Sequence, residues 1–321
     1  MNGSQLPTLE QTSFDLPGLQ FVHSGKVRDV YFFPSKIAAV ATDRISAFDH
    51  ILPRSIPSKG QVLNQMAAYF LEQCSDIVPV WLEDIPDPNV SVGLRCQPIK
   101  IEMVVRGYLA GHAWRIYRSG KREICGLKMP EGMVQSQPFP QPLITPSTKA
   151  DIGHDEDISR ENILSSGLVK EDIYREMESV SLRLFARGQK MARERGLILV
   201  DTKYEFGLDH AGKLTLIDEV HTPDSSRYFL ADEYKERLEK GLDQNHLSKE
   251  FVREWLMENG FQGRKGDVMP KMTDEVVGEI RSKYIGLYER MTGQQFMPAT
   301  DKDISGRVGR NLFAWCRANV R

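Results

Sequence analysis

The sequence predicts an α+β protein with a β-rich N-terminal part, a mixed central region and a helical C-terminal third. Three observations carry this expectation. Short apolar runs broken by Gly, Pro and Ser fill residues 19–42. Residues 98–106 are strand-like, and 197–207, also strand-like, carries charged residues at alternate positions. Beyond Arg227 the apolar residues recur at helical spacing.

In chain order, Leu19–His23, Val27–Phe33 and Lys36–Thr42 read as strands, with turns at Ser24-Gly25 and Pro34-Ser35. Gln61–Cys74 reads as a helix after the turn Pro57-Ser58-Lys59-Gly60. Pro98–Arg106 is a strand, and Leu109–Arg118 a helix ended by Ser119-Gly120. Residues 126–148 are proline-rich and lack periodicity, which predicts a long irregular connection; loops of that kind are often functional, and 126–155 is a candidate lid. Lys170–Arg195 is the strongest helix. Its apolar stripe is Ile173, Met177, Val180, Leu184 and Met191, and Gly196 stops it. Ser248–Asn259, Thr273–Thr292 and Lys302–Arg317 follow, with Thr273 as N-cap and Asp274 and Glu275 favourably placed for the helix dipole. The expected division is a β-rich lobe over 1–106 and an α+β lobe over 107–321, with a cleft between lobes as the natural ligand site.

At 321 residues the chain is long enough for two lobes. A net charge of −2 removes any global electrostatic case for nucleic acid, so an anionic ligand must be met by local cations. Cys74, Cys96, Cys125 and Cys316 are scattered without a C-x-x-C pair, which argues against a disulfide framework or zinc site and fits a reducing cytoplasm. Met1–Gln20 has no secretory pattern, and no apolar run approaches the ~18 residues of a membrane span.

The most informative stretch is Leu197–Gly207. Asp201, Lys203 and Glu205 fall at alternate positions and share one strand face, while Val200, Thr202, Tyr204 and Phe206 take the other. Glycine at both ends of Gly207–Gly212 supports a hairpin to a second strand, Lys213–Val220. The pair brings Asp201, Glu205 and Asp218 near one another around Lys203, with only one of Asp218 and Glu219 on that face. Carboxylates so gathered suit Mg²⁺, which takes carboxylate and nucleotide-phosphate oxygens. The alternative is a solvated hairpin face with a salt bridge.

Other segments carry open alternatives. His23–Arg28 is a glycine turn with Lys26 and Arg28 on one side, either a polyphosphate cover or an ordinary turn; it is not a Walker A motif. Ala41–Asp49, with Ser46, offers ligating groups or an Asx turn with an Asp–Arg pair. Ser58–Gln61 could bind phosphate at a helix start or simply cap it. Arg106 ends an apolar strand, either to hold a carboxylate or phosphate or to make a buried ion pair. Thr145–Asp155, including Lys149, Asp151 and His154, suits a mobile phosphate-binding segment or a solvated loop. The turn Thr222–Ser226 holds Arg227 close to Asp218.

Taken in order, Gly25–Arg28, Asp43–Asp49, Pro98–Arg106, Val200–Gly207 and Ile217–Glu219 followed by Pro223–Arg227 resemble the SAICAR synthetase family, from Gly25 to Leu256. The resemblance implies a two-lobed α+β fold with ATP in the interlobe cleft under the glycine turn. It implies ATP-dependent joining of carboxyaminoimidazole ribonucleotide (CAIR) to the amine of L-aspartate, giving the succinocarboxamide (SAICAR), ADP and phosphate in purine biosynthesis. By position, Gly25, Lys26 and Arg28 would meet ATP, and Glu205 and Asp218 would bind Mg²⁺. Arg106, Asp201, Lys203 and Arg227 would line the substrate sites, with Arg106, Asp201 and Lys203 catalytic and Ser46 and Lys149 joining the substrate set. His112 stands where the family signature ends in serine. The alternatives are a small-molecule kinase and a non-catalytic nucleotide-binding protein.

Overall fold

The computed structural model describes residues 6–149 and 155–320. The chain begins with β1 (Phe21–Ser24), β2 (Arg28–Phe32), β3 (Lys36–Ala41), β4 (Ser46–Ala47) and β5 (His50–Ile51). Then come α1 (Lys59–Cys74), β6 (Leu82–Asp87), β7 (Val90–Leu94), β8 (Gln97–Tyr108) and α2 (Gly111–Arg118). The expected irregular connection contains β9 (Glu123–Ile124), β10 (Leu127–Lys128), β11 (Pro138–Ile144) and β12 (Ser147–Thr148). After it come α3 (Arg160–Ser165), α4 (Glu171–Glu194), β13 (Leu197–Leu208), β14 (Leu214–Ile217) and β15 (Ser226–Leu230). The chain ends with α5 (Ala231–Glu239), α6 (Glu250–Glu258), α7 (Asp274–Thr292) and α8 (Ile304–Asn319).

These elements form two compact units. The first comprises residues up to Tyr69, Leu82–Arg95 and the chain from Ser248; the second comprises Phe70–Trp81 and Cys96–Leu247. This grouping differs from a break after residue 106. That position lies inside β8, whose whole length pairs with second-unit strands, and the C-terminal helices group with the N-terminal strands.

The first unit is built on an antiparallel sheet ordered β1-β2-β3-β7-β6. Alternation along β2 and β3 buries Tyr31, Ala38 and Val40, and these meet Val90 and Val92 of β7. The apolar stripe of α8 (Ile304, Val308, Leu312 and Trp315) closes that face. Arg307 points the same way. Its Nε donates to Asp87 Oδ2 at 2.9 Å and its Nη2 to Asn89 Oδ1 at 2.7 Å, and Asp87 is fully buried. The Asp43 carboxylate accepts from the amides of Leu9 and Gly60, both at 2.8 Å, so the start of α1 is capped by an acid of this chain. The Thr273 hydroxyl caps α7 by accepting from Val276 N, as the sequence indicates.

The second unit is built on the antiparallel path β11-β8-β13-β14, with β12 also on β8 and β15 also on β13. Helix α4 lies against β13 and β8. Its buried stripe (Tyr174, Met177, Val180, Leu184, Phe185, Gly188 and Ala192) shares Met177, Val180 and Leu184 with the expected one, while Ile173 and Met191 are only partly buried.

Arg307→Ala should leave the Asp87 carboxylate buried without its countercharge and lower unfolding stability by ~3 kcal/mol. Urea denaturation of the variant beside the parent checks this.

Candidate active site on the charged face of β13

β13 alternates as expected from Asp201 onward. In register with β8, Asp201 opposes Arg106, Lys203 opposes Val104 and Glu205 opposes Glu102, so these residues share one face. Thr202, Tyr204 and Phe206 are buried on the other. Val200 departs from the expectation. The pairing with β15 shifts register between Leu199 and Asp201, and Val200 packs with Ala110 and Phe229 instead of joining Tyr204.

The charges divide into two groups rather than one. In the first, Asp201 Oδ2 lies 2.7 Å from Arg227 Nη1 and 3.5 Å from Arg106 Nη1, and Arg106 Nε donates to Thr145 Oγ1 at 2.8 Å. Arg227 thus pairs with Asp201 directly across the strand pair. Burial pulls the Arg106 guanidinium below its usual range, against the opposing pull of Asp201. Gly111 opens α2 with φ +53°, and a Cβ there would come within 2.4 Å of the Arg227 guanidinium carbon, so only glycine lets the helix start approach this cation. His112 Nε2 lies 2.7 Å from Asp157 Oδ2. That bond, opposed by burial and helped by the charges of His112 and Arg106, holds the Asp157 carboxyl below its ordinary value.

In the second group, Lys203 contacts Glu205, lies 3.1 Å from Glu102 Oε1 and 3.9 Å from Asp218 Oδ2, and Lys149 makes a second ion pair with Glu205. Burial opposes the Lys203 ammonium, but Glu205, Glu102 and Asp218 outweigh it and raise its pKa well above the usual value. Burial likewise opposes ionised Glu205, yet Lys203 and Lys149 pull its carboxyl far below the ordinary range. Glu102 goes the other way, pushed up mainly by burial. Of Asp218 and Glu219, it is Asp218 that reaches this group; Glu219 accepts from Thr222 Oγ1 at 2.5 Å. Among the described residues no set of three or more His, Cys, Asp or Glu side chains forms an all-protein metal cage.

Lys149 reaches Glu205 because β12 pairs with β8 and Lys149 N donates to Lys100 O at 3.1 Å. The proline-rich segment is thus partly an edge of the sheet. Asp151 and His154 lie outside the described residues.

In the first unit, Gly25 N donates to Arg28 O at 2.8 Å and closes the turn between β1 and β2. Arg44 fastens it, donating to Gly25 O at 2.9 Å, to Lys26 O at 3.1 Å and to Asp29 Oδ1 at 2.9 Å. Lys26 pairs with Asp49. Ser46 is buried in β4. Lys59, at the start of α1, is buried with its ammonium 5.6 Å from the Tyr284 ring centroid.

The family described as SAICAR synthetase matches residues 21–268. The chain belongs to the SAICAR synthetase family. A phosphoribosylaminoimidazole-succinocarboxamide synthase of Bacteroides thetaiotaomicron is 55% identical over 310 residues, covering 96% of this chain and 98% of that one. One from Cytophaga hutchinsonii is 54% identical over 305 residues, covering 95% and 98%. Among solved structures, the SAICAR synthase of Saccharomyces cerevisiae complexed with SAICAR superposes with a TM-score of 0.77 at 35% identity, over 90% of this chain and 100% of the yeast chain. A type-2 SAICAR synthetase in complex with ADP shares the fold at a TM-score of 0.67 and 20% identity, over 87% and 100%.

Several residues of this SAICAR synthetase family member escaped the sequence reading. Glu102 lies within Pro98–Arg106, and its even spacing from Arg106 is the signal for its place on the same face, opposite Glu205. Asp157 acts through a contact distant in sequence and left no such signal, and Arg44, read as one half of a local Asp–Arg pair, instead pairs with Asp29 and holds the Gly25 turn. Behind the charged face, Tyr204 Oη lies 2.7 Å from His221 Nε2, and both side chains are fully buried.

Burial drops the His221 pKa from 6.5 to about 3. Unfolded, the ring takes up a proton below its ordinary value; folded, it stays neutral until about pH 3. Its contribution to stability is therefore complete above pH 6.5 and is lost as pH falls toward 3. Between these limits the parent should lose stability with falling pH more steeply than His221→Gln, by about 1.4 kcal/mol per pH unit. Urea midpoints across that range check the difference.

Proposed function

We propose that this chain is an ATP-dependent carbon–nitrogen ligase that joins the carboxylate of CAIR to the amine of L-aspartate, giving SAICAR, ADP and phosphate in de novo purine biosynthesis. The observation that carries the reading is the division of one strand face into an arginine-rich group around Asp201 and a carboxylate-rich group around Lys203. The relatives' shared name and the SAICAR and ADP complexes of its structural neighbours support it.

A carboxylate is a poor electrophile, and transfer of the ATP γ-phosphoryl group to it gives an acyl phosphate that an amine can attack. Little covalent work falls to the protein, so orientation and charge neutralisation dominate. Arg106 and Arg227 converge on Asp201, which places two guanidinium forks side by side, suited to the phosphate or carboxylate of a substrate. Asp201 orients the incoming amine, and Lys203, kept protonated, holds a substrate carboxylate or phosphate.

Mg²⁺ fits Glu205 and Asp218: both offer hard oxygen donors around one ammonium, and Glu205 is held ionised. When bound, the ion neutralises phosphoryl oxygens. With two carboxylates from the protein, the remaining ligands would be water and phosphate oxygens. The Gly25 turn, with Lys26 and Arg28, is the proposed ATP-phosphate element of the first unit; Ser46 and Lys149 belong to the substrate set. The cysteines are unpaired thiols, in keeping with the cytoplasm, and no helix of the described residues is long and apolar enough to cross a membrane.

ADP release measured with Mg-ATP should require CAIR and L-aspartate together and be accompanied by SAICAR; release with CAIR alone would replace the ligase with a kinase. Glu205→Gln should lower kcat ~10²-fold with an unchanged circular-dichroism spectrum, and near-normal turnover at saturating Mg²⁺ would remove Glu205 from the metal site.

A further inference from the structure

β14 and β15 pair with the same edge of β13, the first along Glu205–Leu208 and the second along Leu197–Thr202. The chain between them, residues 218–225, interrupts what would otherwise be one long strand opposite Lys203 and Tyr204. Two non-glycine residues in this interruption are left-handed, Asp218 at φ +62° and His221 at φ +55°. Such residues persist only where their surroundings over-determine them. Here both carbonyls are pinned by aromatic donors. Trp81 Nε1 donates to Asp218 O at 2.9 Å, and Tyr228 Oη donates to His221 O at 2.7 Å.

The two left-handed residues send their side chains to opposite sides of β13. The Asp218 carboxylate turns to Lys203 on the charged face. The His221 ring turns to the buried face, where it meets Tyr204 Oη and stands edge-on to Phe70 with ring centroids 5.2 Å apart. The space for it comes from α4: a Cβ at Gly188 would lie 2.6 Å from His221 Cε1. Tyr204 sits in sequence between Lys203 and Glu205. Its hydroxyl thus ties the loop that carries Asp218 to the strand that carries the other charges.

We infer that His221 is a positioning residue for the reaction: its bond to Tyr204 across the buried face of β13 fixes the loop so that Asp218 faces Lys203 and Glu205. The inference rests on the proposed metal role of Asp218. His221 touches no substrate, and its function is transmitted through the backbone from His221 to Asp218. Groups one step removed from metal ligands typically change metal affinity or activity 10–100-fold when altered.

The test uses the full-length protein and Mn²⁺ as probe. Tyr204→Phe keeps the ring and deletes the hydroxyl; His221→Gln removes the ring and keeps an amide that can meet Tyr204. Mn²⁺ affinity is read by electron paramagnetic resonance or calorimetry, and kcat and the KM for each substrate are read at saturating metal. Leu184→Ala, in the buried stripe of α4, serves as a control for lost stability alone. The expected result for Tyr204→Phe is Mn²⁺ binding weakened about 10-fold and a lower kcat, with little change in KM for CAIR. His221→Gln should retain more Mn²⁺ affinity than His221→Ala. If Tyr204→Phe loses stability as Leu184→Ala does but binds Mn²⁺ like the parent, the pair is only structural and the inference is overturned. Asp218→Asn separates the two levels. If it weakens Mn²⁺ binding while Tyr204→Phe does not, the positioning inference alone fails; if it too binds Mn²⁺ normally, the metal role of Asp218 fails and the inference falls with it.

Discussion

A row of buried charges on one strand face is tolerable only where neighbouring strands supply the countercharges, and β13 imposes that requirement on everything around it. Asp201 and Glu205 are almost fully buried, and uncompensated carboxylates at that depth would each cost several kcal/mol. The requirement explains why β8 sets Arg106 opposite Asp201 and Glu102 within reach of Lys203, why β12 returns to bring Lys149 to Glu205, and why β15 carries Arg227 beside Asp201. Register and charge pairing thus enforce each other: a slip by one residue would leave every one of these ions without its partner.

The same requirement separates two chemistries along a short stretch of strand. Around Asp201 arginines gather; around Lys203 carboxylates do. Low dielectric and fixed geometry strengthen each group's preference for a complementary ligand. A substrate with anionic ends and a co-substrate whose phosphates travel with a cation need both kinds of environment at once.

Much of this was legible in the sequence, because period-two alternation along 197–207 is strong and the segment is long. The glycine turn, the helix over α4 and the Thr273 cap followed from local rules for the same reason. What was hidden depends on tertiary pairing. Pro138, Pro140 and Pro142 mark β11 as irregular, yet an edge strand needs few backbone donors, and β11 pairs with β8 through Leu143 and Ile144. β6 is half acidic and carries a proline, and β7 is only five residues long with a glycine inside it, so neither shows a strand period long enough to register. The division of the charged row into two groups was not legible either, since it depends on which cations arrive from β8 and β15. Val200 changed faces because a bulge, which composition does not announce, shifts the pairing with β15.

Arg44 grips the turn between β1 and β2 by the carbonyl oxygens of Gly25 and Lys26, not by their side chains. Anchorage through main-chain atoms is indifferent to what the turn displays. Rewriting residue 26 would cost the turn its ion pair to Asp49 but leave the Arg44 bonds in place, whereas a change at Arg44 removes the grip on both carbonyls whatever the turn carries. Display and this part of the attachment rest on different residues.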